Sequence, residues 1–130
     1  MVICFTQGEE RWAIEARFVR SPITLGFVTV VPTAPAGIAG VFSLRGAIVP
    51  VLTLVPGAPA RQGQPALLVE VDGSVFALRA DQAGPPEAAA VDGDAVEVAD
   101  VHSTLVDPRA LVQRAIFSAQ AIRERPAGPP

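Results

Sequence analysis

The sequence predicts an all-β domain closed by a C-terminal helix, and three stretches of its 130 residues carry that expectation. Gly40 to Leu54 reads as two apolar arms on either side of Arg45-Gly46. Ala66 to Arg79 forms a second ribbon around Asp72-Gly73, a dipeptide that favours a two-residue hairpin turn. Asp107-Pro108 is a helix start, with an N-cap carboxylate followed by an imino acid at the position where a missing N–H costs nothing. Leu111, Val112, Ala115, Ile116, Ala119 and Ile122 then share one stripe, so a helix is expected to about Arg123, with that stripe on the β core and late arginines at the negative end of its dipole.

Taken in order, Val2 to Thr6 alternates, with Val2, Cys4 and Thr6 on one face and Ile3 and Phe5 on the other. Gln7-Gly8-Glu9-Glu10 turns and Arg11 to Ala16 returns, which makes an opening hairpin. Trp12, Ile14 and Ala16 share a face, so Trp12 is expected to anchor the core while its indole N–H meets a backbone acceptor. Cys4, inside an apolar strand, reads as a small hydrophobe with a raised and unreactive pKa. Phe18 to Pro22 ends the second strand or forms a short connecting element. Leu25 to Val31 is a β-branched run that predicts a third strand. Pro32 to Gly40 cannot continue that strand, because prolines remove donors and glycines raise the entropic cost of order. Val55 to Pro65 reads as an exposed loop and Ala80 to Asp94 as another, both being rich in turn formers. Ala95 to Val101 is a short strand, His102 follows in a loop or strand end, and residues 126–130 are expected to be a frayed tail beyond a single domain spanning 1–125.

Composition narrows the function classes. Half the residues are hydrophobic and 18% are charged, yet no apolar run approaches the ~20 residues that span a bilayer. The opening Met1-Val2-Ile3-Cys4-Phe5 has neither a basic region nor a small-residue cleavage site, which predicts a cytoplasmic protein. One cysteine excludes an internal disulfide, and one histidine leaves no cluster for a protein-only zinc site. Net charge is −3 and every basic residue is arginine, so there is no field of the kind that draws in nucleic acid. Charge is nevertheless uneven: acids dominate between Glu70 and Asp100, whereas Arg109, Arg114, Arg123 and Arg125 crowd the end. His102 without a partner in view reads as a surface residue, and no cofactor, metal or catalytic constellation is expected.

The remaining candidate is the corner of the central ribbon. Gly46 can take a positive φ without penalty, and Arg45 offers five donors in a rigid fork suited to carboxylates. Arg45 either solvates a turn or presents that fork to a partner.

The phrase Gly40-Val41-x-x-Leu44-Arg45-Gly46-x-Ile48-Val49-Pro50-Val51-x-x-Leu54 resembles the signature of the CheW-like family, which comprises the chemotaxis adaptor CheW and the regulatory domain of the histidine kinase CheA. The likeness extends to Phe5 through Ile14 as the opening hairpin, to the approach Val31 to Gly40, to Leu68 through Leu78 followed by Asp81, and to Leu105 through Leu111 at the last strand and terminal helix. It implies two small five-stranded β-barrels sharing a hydrophobic core, with no catalytic residues. It also implies partner binding at Arg45, with Ser43, Leu44 and Gly46 shaping its turn, and kinase contact through hydrophobic residues on exposed barrel faces. The partners implied are the regulatory domain of a CheA-like histidine kinase and the tip of a methyl-accepting chemoreceptor, with recruitment to membrane-bound receptor arrays and no membrane insertion. Three departures stand out: Thr53 where the family commonly has an acid, Ser43 where it usually has Asn, and a shorter stretch between Asp81 and Leu105. The last predicts a second barrel trimmed of loops or strands, with an edge left open or blunted by Pro85-Pro86. Two other functions stay in view: a CheW-like scaffold of a motility or developmental pathway that binds a kinase or another CheW-like domain without a chemoreceptor, and, more remotely, a small β-barrel enzyme or ligand-binding protein.

Overall fold

The computed structural model describes residues 1–29, 38–54 and 60–113, and within them nearly all regular structure is strand. Strands β1 (Val2–Gln7) and β2 (Glu10–Glu15) form the opening hairpin, and a 3₁₀ turn at Ala16–Phe18 leads into β3 (Val19–Thr24). The chain continues through β4 (Val28–Thr29), β5 (Ile38–Leu44), β6 (Ala47–Leu52), β7 (Pro65–Val71) and β8 (Ser74–Arg79). It ends with β9 (Gln82–Glu87), β10 (Ala90–Asp92), β11 (Ala95–Val98) and β12 (Val101–Leu105), before helix α1 over described residues 108–113. Pairing divides these strands into a terminal sheet, ordered β10-β11-β12-β2-β1-β9, and a central sheet, ordered β3-β7-β8-β6-β5-β4. Each has six paired segments where the resemblance implied five strands. The extra places are filled by very short pieces, β4 of two residues and β10 of three.

The core explains why β7 reads as a continuous apolar run rather than an alternation. Leu67, Val69 and Val71 face the layer shared between the two sheets, against Ile3, Phe5 and Ile14 of the opening hairpin and Leu111 of α1. Ala66 and Leu68, one residue out of phase, face the interior of the central sheet with Phe42, Val49 and Val51. A strand buried on both sides has no polar face to show. Partly buried Ile23 of β3 and Val28 of β4 reach the same interior cluster from the two edges of the central sheet, so that sheet is curled into a barrel. The opening hairpin is equally two-sided: Val2, Cys4 and Ala13 turn toward a smaller interior with Val96 and Leu105. The alternation of β1 is as the sequence predicts.

The start of α1 is also as predicted. Asp107 Oδ1 accepts from the backbone N–H of Arg109 at 3.0 Å and of Ala110 at 3.5 Å, and Leu111 and Val112 join the shared core. The rest of the expected helix and the tail at 126–130 lie outside the described residues, as do residues 32–37 of the loop expected over Pro32 to Gly40; Ile38 to Gly40 of that stretch are not loop but the start of β5.

Several expectations need correction. Residues 80–94 are not loop: β9 pairs antiparallel with β1, with Val2 opposite Glu87 and Thr6 opposite Gln82. Its two prolines are tolerable because β9 is the end strand of its sheet, where missing N–H groups break no ladder. The terminal sheet therefore has six paired strands across the stretch where strands were expected to be trimmed. Gln7 is a buried strand residue rather than part of the turn, which consists of Gly8 and Glu9. Trp12 packs against the shared core, but its Nε1 is buried without a hydrogen-bond partner among the described residues. Val19–Thr24 is a full strand, whereas the run after Leu25 pairs only at Val28 and Thr29 among the described residues. Ala60, placed by the sequence in an exposed loop, is buried in the central barrel. His102 lies within β12, opposite Glu97 of β11.

Candidate functional site

The candidate site grows from the β5–β6 hairpin. Leu44 pairs with Ala47, which leaves Arg45 and Gly46 as a two-residue turn with φ of 51° and 85°. Positive φ at both central positions is the twist that matches a right-handed hairpin. Gly46 adopts it freely, whereas at Arg45 it costs about 1 to 2 kcal/mol relative to ordinary backbone. The side chain that bears this strain is exposed and makes no ion pair among the described residues. Leu44 is half buried and packs against the central-barrel interior, so it anchors the turn from below. Ser43 is exposed on β5, opposite Ile48.

The structure thus brings Ser43, Leu44, Arg45 and Gly46 together at one end of the central barrel. A groove of about 550 Å³ runs beside them, lined among others by Arg20, Ile23, Leu44, Arg45, Ile48 and Val75. Its two arginines differ. Arg20 is held by Glu70 through Nε–Oε2 at 3.2 Å, while Arg45 makes no ion pair among the described residues.

The far end of the same hairpin is fixed by a polar knot that sequence reasoning missed. Gln7, 1% exposed, donates from Nε2 to the Arg79 carbonyl at 2.7 Å. Its Oε1 accepts from Thr53 Oγ1 at 3.2 Å and from the Leu54 N–H at 3.0 Å. Asp81 completes the join: its Oδ2 accepts from the Gly8 N–H at 2.6 Å, its Oδ1 lies 3.4 Å from Arg79 Nη2, and its own N–H donates to the Thr6 carbonyl at 2.8 Å. One amide side chain from the terminal sheet therefore satisfies groups at the ends of β6 and β8 in the central sheet. Thr53 fits here as a small hydroxyl donor, in place of the acid common at that position.

The titratable residues singled out in the sequence are not brought into a catalytic arrangement. Burial first, and the nearby Glu87 charge second, push the Cys4 thiol above its ordinary pKa, while a side-chain hydrogen bond from Ser103 opposes them. His102 Nδ1 lies 3.9 Å from Glu97 Oε2 on an exposed pair of strands. Among the described residues no group of three or more His, Cys, Asp or Glu could hold a metal ion, and no helix is long and apolar enough to cross a membrane.

Comparison with known proteins agrees with this architecture. A family model described as CheW-like domain matches residues 1–85, which include the opening hairpin, the whole Arg45 hairpin and the β7–β8 ribbon. The crystal structure of the scaffolding protein TtCheW from Thermoanaerobacter tengcongensis is similar with a TM-score of 0.63, over 82% of this chain and 87% of that one, at 20% identity. At that identity the likeness is one of fold. No curated protein matches the chain.

Proposed function

The chain belongs to the CheW-like domain family, and from that premise we propose that it is a non-enzymatic adaptor joining a chemoreceptor tip to the regulatory domain of a CheA-like histidine kinase. The acting unit in this reading is one domain over 1–125, cytoplasmic and recruited to membrane-bound receptors through its partners. The observation that carries it is Arg45: an exposed guanidinium without an ion pair among the described residues, held on a strained turn at the lip of a groove. Strain of this kind at an exposed arginine without an ion pair among the described residues supports a binding role for it.

That opposition supplies the test. Arg45→Gly relieves the turn and should raise stability by up to about 1 kcal/mol, read as a higher Tm. The same change should weaken partner binding about tenfold, as should Arg45→Glu, measured by titration calorimetry. A variant that is both more stable and equally competent would show that Arg45 serves only the turn. The slight terminal barrel favours a second reading, a scaffold that binds the kinase or another CheW-like domain but no receptor. The two readings part on whether a purified receptor fragment binds at all.

A further inference from the structure

The geometry points to a small-ligand site in the open mouth of the terminal barrel, one that takes a short monocarboxylate with its charge at Arg11 and its apolar tail beside Cys4. The site is separate from the Arg45 hairpin, so it goes beyond the adaptor reading and does not rest on it.

The register of the terminal sheet builds this mouth. Cys4 joins Val2, Ala13, Val96 and Leu105 in the terminal interior. Alternation then puts Thr6 on the same face as Cys4, Arg11 opposite Thr6 on β2, and Ser103 on the face of Leu105. In the sheet β12 and β9 are separated by β2 and β1, yet Val101 and Ser103 of the one and Gly84 of the other line a single cavity of about 340 Å³. The sheet must curl for that to happen, with the cavity on its concave side.

Small residues keep the space open. The β1–β9 register slips by one residue between Ile3 and Phe5, which puts an extra residue of β9 opposite Cys4. Gly84 lies in that slip. A Cβ there would meet only the Cys4 carbonyl, at an ordinary 3.8 Å, so no close approach demands glycine and the open cavity is its consequence. The volume falls at the lower end of the roughly 300 to 1,000 Å³ usual for small-ligand clefts.

Charge sets the ligand and its direction. Arg11 is exposed and makes no ion pair among the described residues, and no Asp or Glu lines the cavity. Its guanidinium, beside the Thr6 hydroxyl, offers paired donors to a carboxylate. The Ser103 hydroxyl already hydrogen-bonds Cys4, which leaves Arg11 and Thr6 to orient the ligand. At the inner end Glu87 lies close enough to add to the effect of burial on the Cys4 thiol. A second negative charge there would be repelled, so a monocarboxylate with an uncharged tail fits and a dicarboxylate does not.

The test adds hexanoate to the full chain, with hexanamide and adipate as its uncharged and doubly charged counterparts. Cys4 is the sole thiol, so its modification by N-ethylmaleimide reports occupancy directly. Hexanoate should slow that labelling saturably and shift the amide resonances of Thr6, Arg11, Gly84 and Ser103, while hexanamide and adipate at the same concentrations do neither. Arg11→Gln should raise the concentration for half-protection about tenfold, and Gly84→Val, which fills the cavity, should remove protection. Melting curves establish that the variants fold, and exposed Arg11 carries the test alone if Gly84→Val does not. Labelling untouched by hexanoate, equal protection by hexanamide or adipate, or undiminished protection of the Arg11→Gln variant overturns the site. None of these results bears on partner binding by the Arg45 hairpin, which its own titrations decide.

Discussion

The two barrels of this molecule are unequal. The central one encloses eight buried side chains of its own among the described residues, from Leu25 to Ala77, and all six of its strands contribute to that interior. The terminal one encloses three, Val2, Ala13 and Val96, and beside Cys4 and Ser103 it opens into a cavity of about 340 Å³. Its β9 and β10 are exposed at every residue, whereas β7 and β8 are buried on both faces. The central barrel is therefore expected to hold its hairpin more firmly than the terminal barrel holds its outer strands, which rest more on the shared layer. The larger of the two separate interiors thus lies beneath the Arg45 hairpin.

The contrast can be broken most forcefully inside the central barrel. Phe42→Ala should cost about 3 to 5 kcal/mol and abolish partner binding, because the residue it removes lies directly beneath the Ser43–Ile48 row. Chemical denaturation and calorimetry would show both losses together. Gln7→Ala should come next. It strips partners from the Leu54 N–H, Thr53 hydroxyl and Arg79 carbonyl, and costs about 2 to 4 kcal/mol on the usual scale for buried polar groups. Gln7→Met, of similar volume, should recover little of that, which distinguishes lost hydrogen bonds from lost packing in the same unfolding experiment.

A smaller effect is expected within the terminal barrel. Val96→Ala should cost about 1.5 to 2 kcal/mol and leave binding at the Arg45 hairpin near its wild-type strength. Hydrogen exchange sharpens the point: amides of β7 and β8 should exchange only through global unfolding, and those of β10 and β11 through cheaper local opening. Equal protection in both sheets would contradict the inequality.

The smallest effect concerns Cys4, whose thiol is raised above its ordinary pKa chiefly by burial. A raised acid keeps its proton longer in the folded state than in the unfolded one. Stability is thus fully present below the unfolded thiol's pKa and declines as pH rises through it, toward the higher folded value. Cys4→Ala should flatten that alkaline decline in pH-dependent melting, and a thiol reagent at neutral pH should label the wild type slowly.

How much of this was legible in the sequence depended on whether the deciding partner was near in the chain. Asp72-Gly73 and Arg45-Gly46 announce their turns because a positive φ has to be met locally, and both Asp72 and Arg45 do adopt it. Asp107 caps its helix through residues two and three positions away. Gln82 to Glu87, with Gly84-Pro85-Pro86 at its centre, looks like a loop to any local rule. It becomes a strand because β1, some eighty residues earlier, offers an open edge. Gln7 gave no signal beyond a polar residue before a glycine, since its acceptors and donors sit 46 to 72 positions away. At the candidate site, the Arg45 phrase could be read directly. Ile48 was visible only as part of an apolar arm; alternation against Val49 would have put it outside.

The most direct test of the adaptor account is sedimentation of the full chain with the receptor fragment and the kinase regulatory domain, separately and together. The account predicts a ternary complex in which all three cosediment, lost when Arg45 is replaced by Glu. Two binary complexes that exclude each other, or a kinase complex indifferent to added receptor fragment, would contradict the claim that this chain joins the two.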